Sequence, residues 1–186
     1  EIVATASGWF YRWPAVRANQ FNWNAGLLAA AATVGGNRDA LRRDLPRYMA
    51  RFAHGRNLGP GLRFHYAPSL SLDARLNIDS AEYANITVHF LLWYARARAA
   101  GMPALPAGDR AVLSAWVERV LLGYWTHSGW LNWDSGLGLK RWQIGKTFAF
   151  AQQGLLAIAR AEDFHARPEF GAWAKHFFDR GLGLYT

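Results

Sequence analysis

The sequence predicts an all-α chain of helical hairpins, arranged as an (α/α) toroid or as part of one, with its long loops gathered at one end. Three observations carry that expectation. Apolar residues recur at helical spacing along most of the 186 positions, and no stretch alternates as a half-buried strand would. The segments between the periodic stretches alternate between short and long. A motif also repeats: FNWNAGL at 21–27 and LNWDSGL at 131–137 agree at Asn-Trp, at the Asn or Asp that follows, and at Gly-Leu, as units of a helical repeat do. A plain six-helix bundle is the alternative.

Each helix has its own signals. The first is expected from about Asn22 to Val34, ending at Gly35-Gly36, because glycine supplies the left-handed turn that closes a helix. The second runs from about Arg38 to His54, with Pro46 bending it or opening a shorter piece. The third opens at Asp79 or Ser80, where D-S-A-E places an N-cap before Glu82, and closes at Gly101. The fourth spans about Gly108 to Tyr124 and the fifth about Gln143 to Ala161. The sixth follows Arg167-Pro168, since proline suits a first turn, and fades at Gly181. The links GGN, MPALPAG and EDFHAR are short. The links over 55–78 and 125–142 are long, as is the aromatic lead-in SGWFYRWPAVRANQ. Alternate links of antiparallel hairpins lie at the same end. The long, aromatic, Arg-bearing segments therefore gather at one end, and long irregular loops in compact domains are usually functional.

Composition narrows the class. A hydrophobic content of 52% with 18% charged residues excludes a disordered chain. No apolar run approaches the roughly 18–20 residues a membrane span needs. Zero cysteines exclude disulfides and cysteine-ligated zinc. The chain is read as a single all-α domain over 1–186, part of a larger toroid, beginning inside a gene product because it lacks an initiator Met. The net charge of +8 is carried almost wholly by Arg, with Lys only at 140, 146 and 175. Arg pairs in bidentate fashion with carboxylate, sulfate or phosphate, although a solvated basic surface accounts for the same charge. Ten Trp exceed what a small helical core asks for, and exposed Trp suits stacking on sugars or bases.

The candidate site residues lie in the long links and at the helix ends beside them. His65 and Tyr66 are adjacent in irregular chain, and Tyr83 and Asn85 sit in the first turns of the third helix. Histidine exchanges protons near neutrality, and Arg63 and Arg75 are the cations that would lower a tyrosine pKa. Glu82, Ile86, His89 and Trp93 follow one face of the third helix, and His89 reads as a core or wall histidine. His54, His165 and His176 read as surface residues. Glycoside hydrolysis needs two carboxylates about 5–10 Å apart, which Asp134 with Glu82 or Asp79 could supply, although Asp79 with Glu82 also makes a helix cap. Lys140, Arg141 and Lys146 beside Trp130, Trp133 and Trp142 fit an anionic sugar, with rings stacking and cations pairing. No metal-ligand pattern such as HExxH occurs, and no RNP, KH or helix-turn-helix signature points to nucleic acid. Gly136–Gly138 lacks a preceding strand and is no nucleotide fingerprint. Asn85-Ile86-Thr87 is a glycosylation sequon inside a helix.

Over about residues 20–100 the chain resembles the α/α-toroid polysaccharide lyases, the alginate-lyase-like and heparinase II/III-like domains. The shared order is FNWNAGLLAAAATVGG, the helix NRDALRRDLPRYMARF, the loop GPGLRFHY and the helix opening SAEYANITVHFLLWYARA. The resemblance implies that Tyr83 falls at the catalytic tyrosine, Asn22 at the asparagine that neutralises the uronate carboxylate, and Arg75 at the loop arginine. It also implies that no cofactor is required, and a secreted or periplasmic location. The chain departs from the family pattern where Trp23 and Asn24 replace the first histidine and Ala84 follows Tyr83, so His65 would have to supply the imidazole.

The expected function is β-elimination on an acidic, uronate-containing polysaccharide. Tyr83, His65, Asn22 and Arg75 would be catalytic. Trp23, Asn24, Arg63, Tyr66, Asn85, Trp130, Trp133, Asp134, Lys140, Arg141 and Trp142 would bind substrate. The alternatives are a hydrolase using Asp134 with Glu82 or Asp79, and a non-catalytic sugar-binding or scaffold domain.

Overall fold

The structure, a computed structural model, describes residues 20–34, 36, 38–65, 79, 81–131 and 144–183. These form α1 (Gln20–Val34), α2 (Arg38–Ala53), α3 (Ala81–Val88), α4 (Phe90–Ala99), α5 (Ala107–Tyr124), α6 (Ile144–Arg160) and α7 (Phe170–Leu182). Single 3-10 turns sit at Pro60–Leu62 and Glu162–Phe164. Among the described residues there is no strand, only two isolated bridges, Leu58 with Phe64 and Trp125 with Leu131. None of these helices is long and apolar enough to cross a membrane.

The helices fall into two rows. The α3–α4 unit packs on α1 at one side and on α6 at the other. In the second row α5 touches α2 and α7, and α1 with α2 and α6 with α7 pair as hairpins. All six sequence-predicted helices are present, with ends displaced by a residue or two. The third differs in one respect, because it is interrupted at His89. The interruption follows three successive β-branched residues, Ile86, Thr87 and Val88, whose stiff χ1 angles crowd a helical turn. The next turn tightens, with Leu92 N donating to His89 O at 3.0 Å. Pro46, expected to bend or divide the second helix, sits inside one continuous α2.

Between the rows lies an aromatic core. Trp116 is fully buried among Phe52, Phe64 and Phe90, with ring centroids 4.9, 5.9 and 6.2 Å away. Trp125 is also buried, so part of the tryptophan excess is core. His54, expected as a surface residue, hydrogen-bonds Asp109 at 2.7 Å and ties the end of α2 to the first turn of α5. His165, also expected at the surface, is half-buried and hydrogen-bonds the Ile158 carbonyl at 2.6 Å. At the same end Tyr94 donates to Asp163 at 2.5 Å, and Arg98 Nε joins it at 3.1 Å.

A close approach within the first row is at Gly154. A Cβ there would overlap the Asn85 carbonyl oxygen and come 2.7 Å from Val88 Cγ1. Since the backbone oxygen cannot step aside without moving α3, Gly154→Ala should destabilise the fold by roughly 1–3 kcal/mol. Gly123→Ala is the comparison: its Cβ meets only Arg119 Cγ at 3.8 Å, so it should stabilise by about 0.5–1 kcal/mol. Urea denaturation of the two variants tests both signs.

Candidate functional site

Two hairpins and the start of α3 form the loop-bearing end. The described part of the first long link doubles back through a tight turn, with Gly59 N donating to Arg63 O at 2.8 Å beside the Leu58–Phe64 bridge. The second long link opens the same way. Thr126 N donates to Trp130 O at 2.9 Å, and Gly129 N to Thr126 O at 2.9 Å.

Asp79 joins these parts. Its carboxylate accepts from Phe64 N at 2.7 Å, from the Tyr124 hydroxyl and from the Arg119 guanidinium. Burial and then the Asp79 hydrogen bond raise the Tyr124 pKa, so the phenol stays a donor. Burial works against the Arg119 charge, but its hydrogen bond to Asp79 and its contact with Tyr124 more than offset this and raise its pKa. Asp79, expected as a helix cap or as half of a hydrolytic pair, is buried in this hydrogen-bonded cluster. The carboxylate is 8% exposed and accepts from three donors among the described residues.

Asn85 shows the same inward commitment. It is fully buried, its amide donates to Ala81 O at 2.9 Å, and its oxygen accepts from Trp125 Nε1 at 2.6 Å. The sequon at Asn85 is inaccessible to a glycosyl donor in the folded chain for the same reason. His65 is 6% exposed, with its ring edge against Gly59, where a Cβ would overlap Nε2. Its Nδ1 has no hydrogen-bond partner among the described residues. Tyr83 is half-buried against the core, and Arg63 and Trp130 are exposed. Asn22 and Asn24 lie in α1 and Glu82 in α3, but their side chains are outside the description. Arg75, Tyr66, Trp133, Asp134, Lys140, Arg141 and Trp142 lie outside the described residues.

A second arrangement, largely missed in the sequence, runs along the first row. Trp23 is 60% exposed on α1. One turn below it on a neighbouring face, Gly26 lies against the Trp93 indole, where a Cβ would sit 3.0 Å from Cε2. The Arg96 guanidinium covers the Trp93 ring at 4.9 Å from its centroid. His89 follows on the same helix face, its ring 6.1 Å from Trp93. Burial first, then the Arg96 charge, lowers the His89 pKa, so this imidazole is neutral at neutral pH. Beyond it opens a groove of about 510 Å³ lined by His89, Leu92, Gln153 and Leu156 among others. This wall of two indoles, a stacked cation and a neutral imidazole can hold sugar rings and an anion together. The face of Glu82, Ile86, His89 and Trp93 was legible as helical spacing. Arg96 carried a weaker signal, since it is one of many arginines.

Among the described residues no three His, Asp or Glu side chains gather as a metal ion would require. No family model matches the chain, and no curated protein or solved structure matches it.

Removing the Asp79 carboxylate strands the Phe64 amide and the Tyr124 hydroxyl inside the protein. Asp79→Ala should cost roughly 2–4 kcal/mol, read as a fall in the urea midpoint. His89 makes stability depend on pH. Its folded pKa lies below the ordinary 6.5, so as pH falls through about 6.5 the unfolded chain takes up the proton first. The contribution of His89 is complete above that pH and is lost as the pH drops toward the folded pKa. Midpoints measured between about pH 8 and 5 should decline in the parent and decline less in His89→Gln.

Proposed function

We propose that the chain is a carbohydrate-active domain of the α/α-toroid kind acting on an acidic polysaccharide, with β-elimination at a uronate as its chemistry. The observation that carries this reading is the wall of Trp23, Trp93 with Arg96, and His89 on the first row of helices. Abstraction of the proton α to a uronate carboxylate requires that carboxylate to be neutralised, so that charge developing on it is stabilised. Arg96 brings a cation to the wall, and Asn22 lies on the adjoining helix. A neutral imidazole accepts a proton, and a phenol can return one to the leaving oxygen. His89 meets the first requirement on the wall, whereas His65 is buried behind Gly59. Tyr83 is the phenol that the family resemblance implies. The order of helices in two rows supports the toroid, and the net charge of +8 supports an anionic substrate. With Asp79 committed to three donors, a hydrolase would have to rest on Asp134 and Glu82.

A non-catalytic sugar-binding domain is the second reading, favoured by the burial of His65 at 6% exposure. Ultraviolet absorbance of unsaturated uronate products, followed with alginate, heparin, hyaluronan, chondroitin and pectin, separates the readings. A lyase gives rising absorbance with one of them, lost by at least tenfold in His89→Gln and Tyr83→Phe, while Arg96→Gln raises KM. Binding without product and without new reducing ends establishes the non-catalytic domain. New reducing ends without absorbance, lost in an Asp134 variant, establish the hydrolase.

A further inference from the structure

The outer helix α7 carries a second aromatic and basic surface. Trp173, His176, Phe177 and Arg180 stand at positions i, i+3, i+4 and i+7, and so share one stripe. Trp173 is 37% exposed, His176 and Arg180 are exposed, and Phe177 is half-buried. The rings support one another: Trp173 lies 5.7 Å from the buried Phe170, and His176 lies 6.0 Å from Phe177. Seven residues of helical rise make the stripe about 10 Å long.

The hairpin after α5 extends it. Gly129 adopts φ 83° and packs so closely on α7 that a Cβ there would come 2.8 Å from the Phe177 carbonyl oxygen and 3.0 Å from the Arg180 carbonyl carbon. The neighbouring Trp130 is 45% exposed. Its backbone is pinned on both sides, with Thr126 N donating to Trp130 O at 2.9 Å and Trp130 N to Thr126 Oγ1 at 3.2 Å. A backbone ordered before any ligand arrives lowers the entropic cost of stacking there. Among the described residues Arg180 has no ion-pair partner, whereas the nearby Lys175 is neutralised by Asp179 at 2.5 Å.

We propose that this stripe, capped by Trp130, is an exosite that binds an anionic glycan chain along α7, apart from the wall of Trp23, Trp93 and Arg96. Rings of the chain stack on Trp130 and Trp173, and an acidic substituent pairs with Arg180. The inference rests on the carbohydrate reading above but not on turnover, because it concerns binding alone.

Affinity electrophoresis in native gels containing alginate, hyaluronan or neutral dextran tests it. The proteins compared are the parent, Arg180→Gln, Trp173→Ala with Arg180→Gln, Trp130→Ala, and the wall variant Arg96→Gln. The expected result is retardation by an anionic gel that weakens by roughly tenfold or more in the double variant, weakens less in Arg180→Gln and Trp130→Ala, and is absent in dextran. Arg180→Gln, at an exposed position, keeps the test valid if Trp173→Ala loosens α7. A parent-like double variant alongside a weakened Arg96→Gln overturns the exosite and leaves the wall as the binding surface. A weakened double variant with unchanged Arg96→Gln upholds the exosite and removes the support for the wall. No retardation of the parent overturns both. Preferential binding of oligo-dT, or a concentration-dependent dimer lost in the double variant, overturns the glycan assignment in favour of nucleic acid or of a second copy of the chain.

Discussion

A single buried carboxylate organises the loop-bearing end of this molecule. Asp79 precedes α3, and its three donors come from the hairpin after α2 and from two positions on α5. Burying a carboxylate is unfavourable unless its charge is matched and its lone pairs are filled. Here Arg119 supplies the charge, while Phe64 N and Tyr124 supply neutral donors. The geometry therefore fixes three chain segments relative to one another. The parallel bond from Trp125 to Asn85 fixes a fourth, the hairpin that carries Trp130. Without these bonds both hairpins would be held to the helices mainly by apolar contacts, which resist sliding poorly.

The hub also explains how the polar residues of the third helix divide. Asp79 and Asn85 face inward, above the aromatic cluster around Trp116, where water is excluded and an unpaired carboxylate or amide is costly. Glu82, His89, Trp93 and Arg96 follow a different helical face, and there the Arg96 guanidinium stacks on the Trp93 indole. The two faces thus differ: one carries the bonds that hold the hairpins, and the other carries the stacked indole, cation and imidazole.

That division marks the limit of what the sequence could reveal. Helix ends were legible because glycine, proline and apolar spacing act locally: α1 ends at Val34 where expected, and the fourth helix closes at Tyr124 as expected. Asp79 followed by Glu82 spells a capping box, and the same letters serve a hub whose partners lie 15, 40 and 45 residues away, which no local pattern can announce. Asn85 looked like a site residue because a polar side chain in an aromatic setting suits either a ligand or a buried hydrogen bond. Only its partners, the Ala81 carbonyl and the Trp125 indole, decide between them. His65 was attractive as an imidazole in irregular chain, yet its hairpin folds it against Gly59.

The Arg96–Trp93 stack shows why recognition is the more economical account of the wall. An exposed cation–π pair contributes about 0.5–1 kcal/mol, too little to explain by stability alone why a large indole should remain half-buried on an accessible face. A leucine there would bury as well. What the pair offers is an oriented positive charge beside a flat apolar surface, with Trp23 on the adjoining helix and a neutral imidazole one turn away. A ligand complementary to that set must present a ring face, an anion and a hydrogen-bonding group within a few ångströms of one another. An acidic sugar has all three on one residue, and for this reason the wall, more than the hub or the hairpins, carries the functional reading.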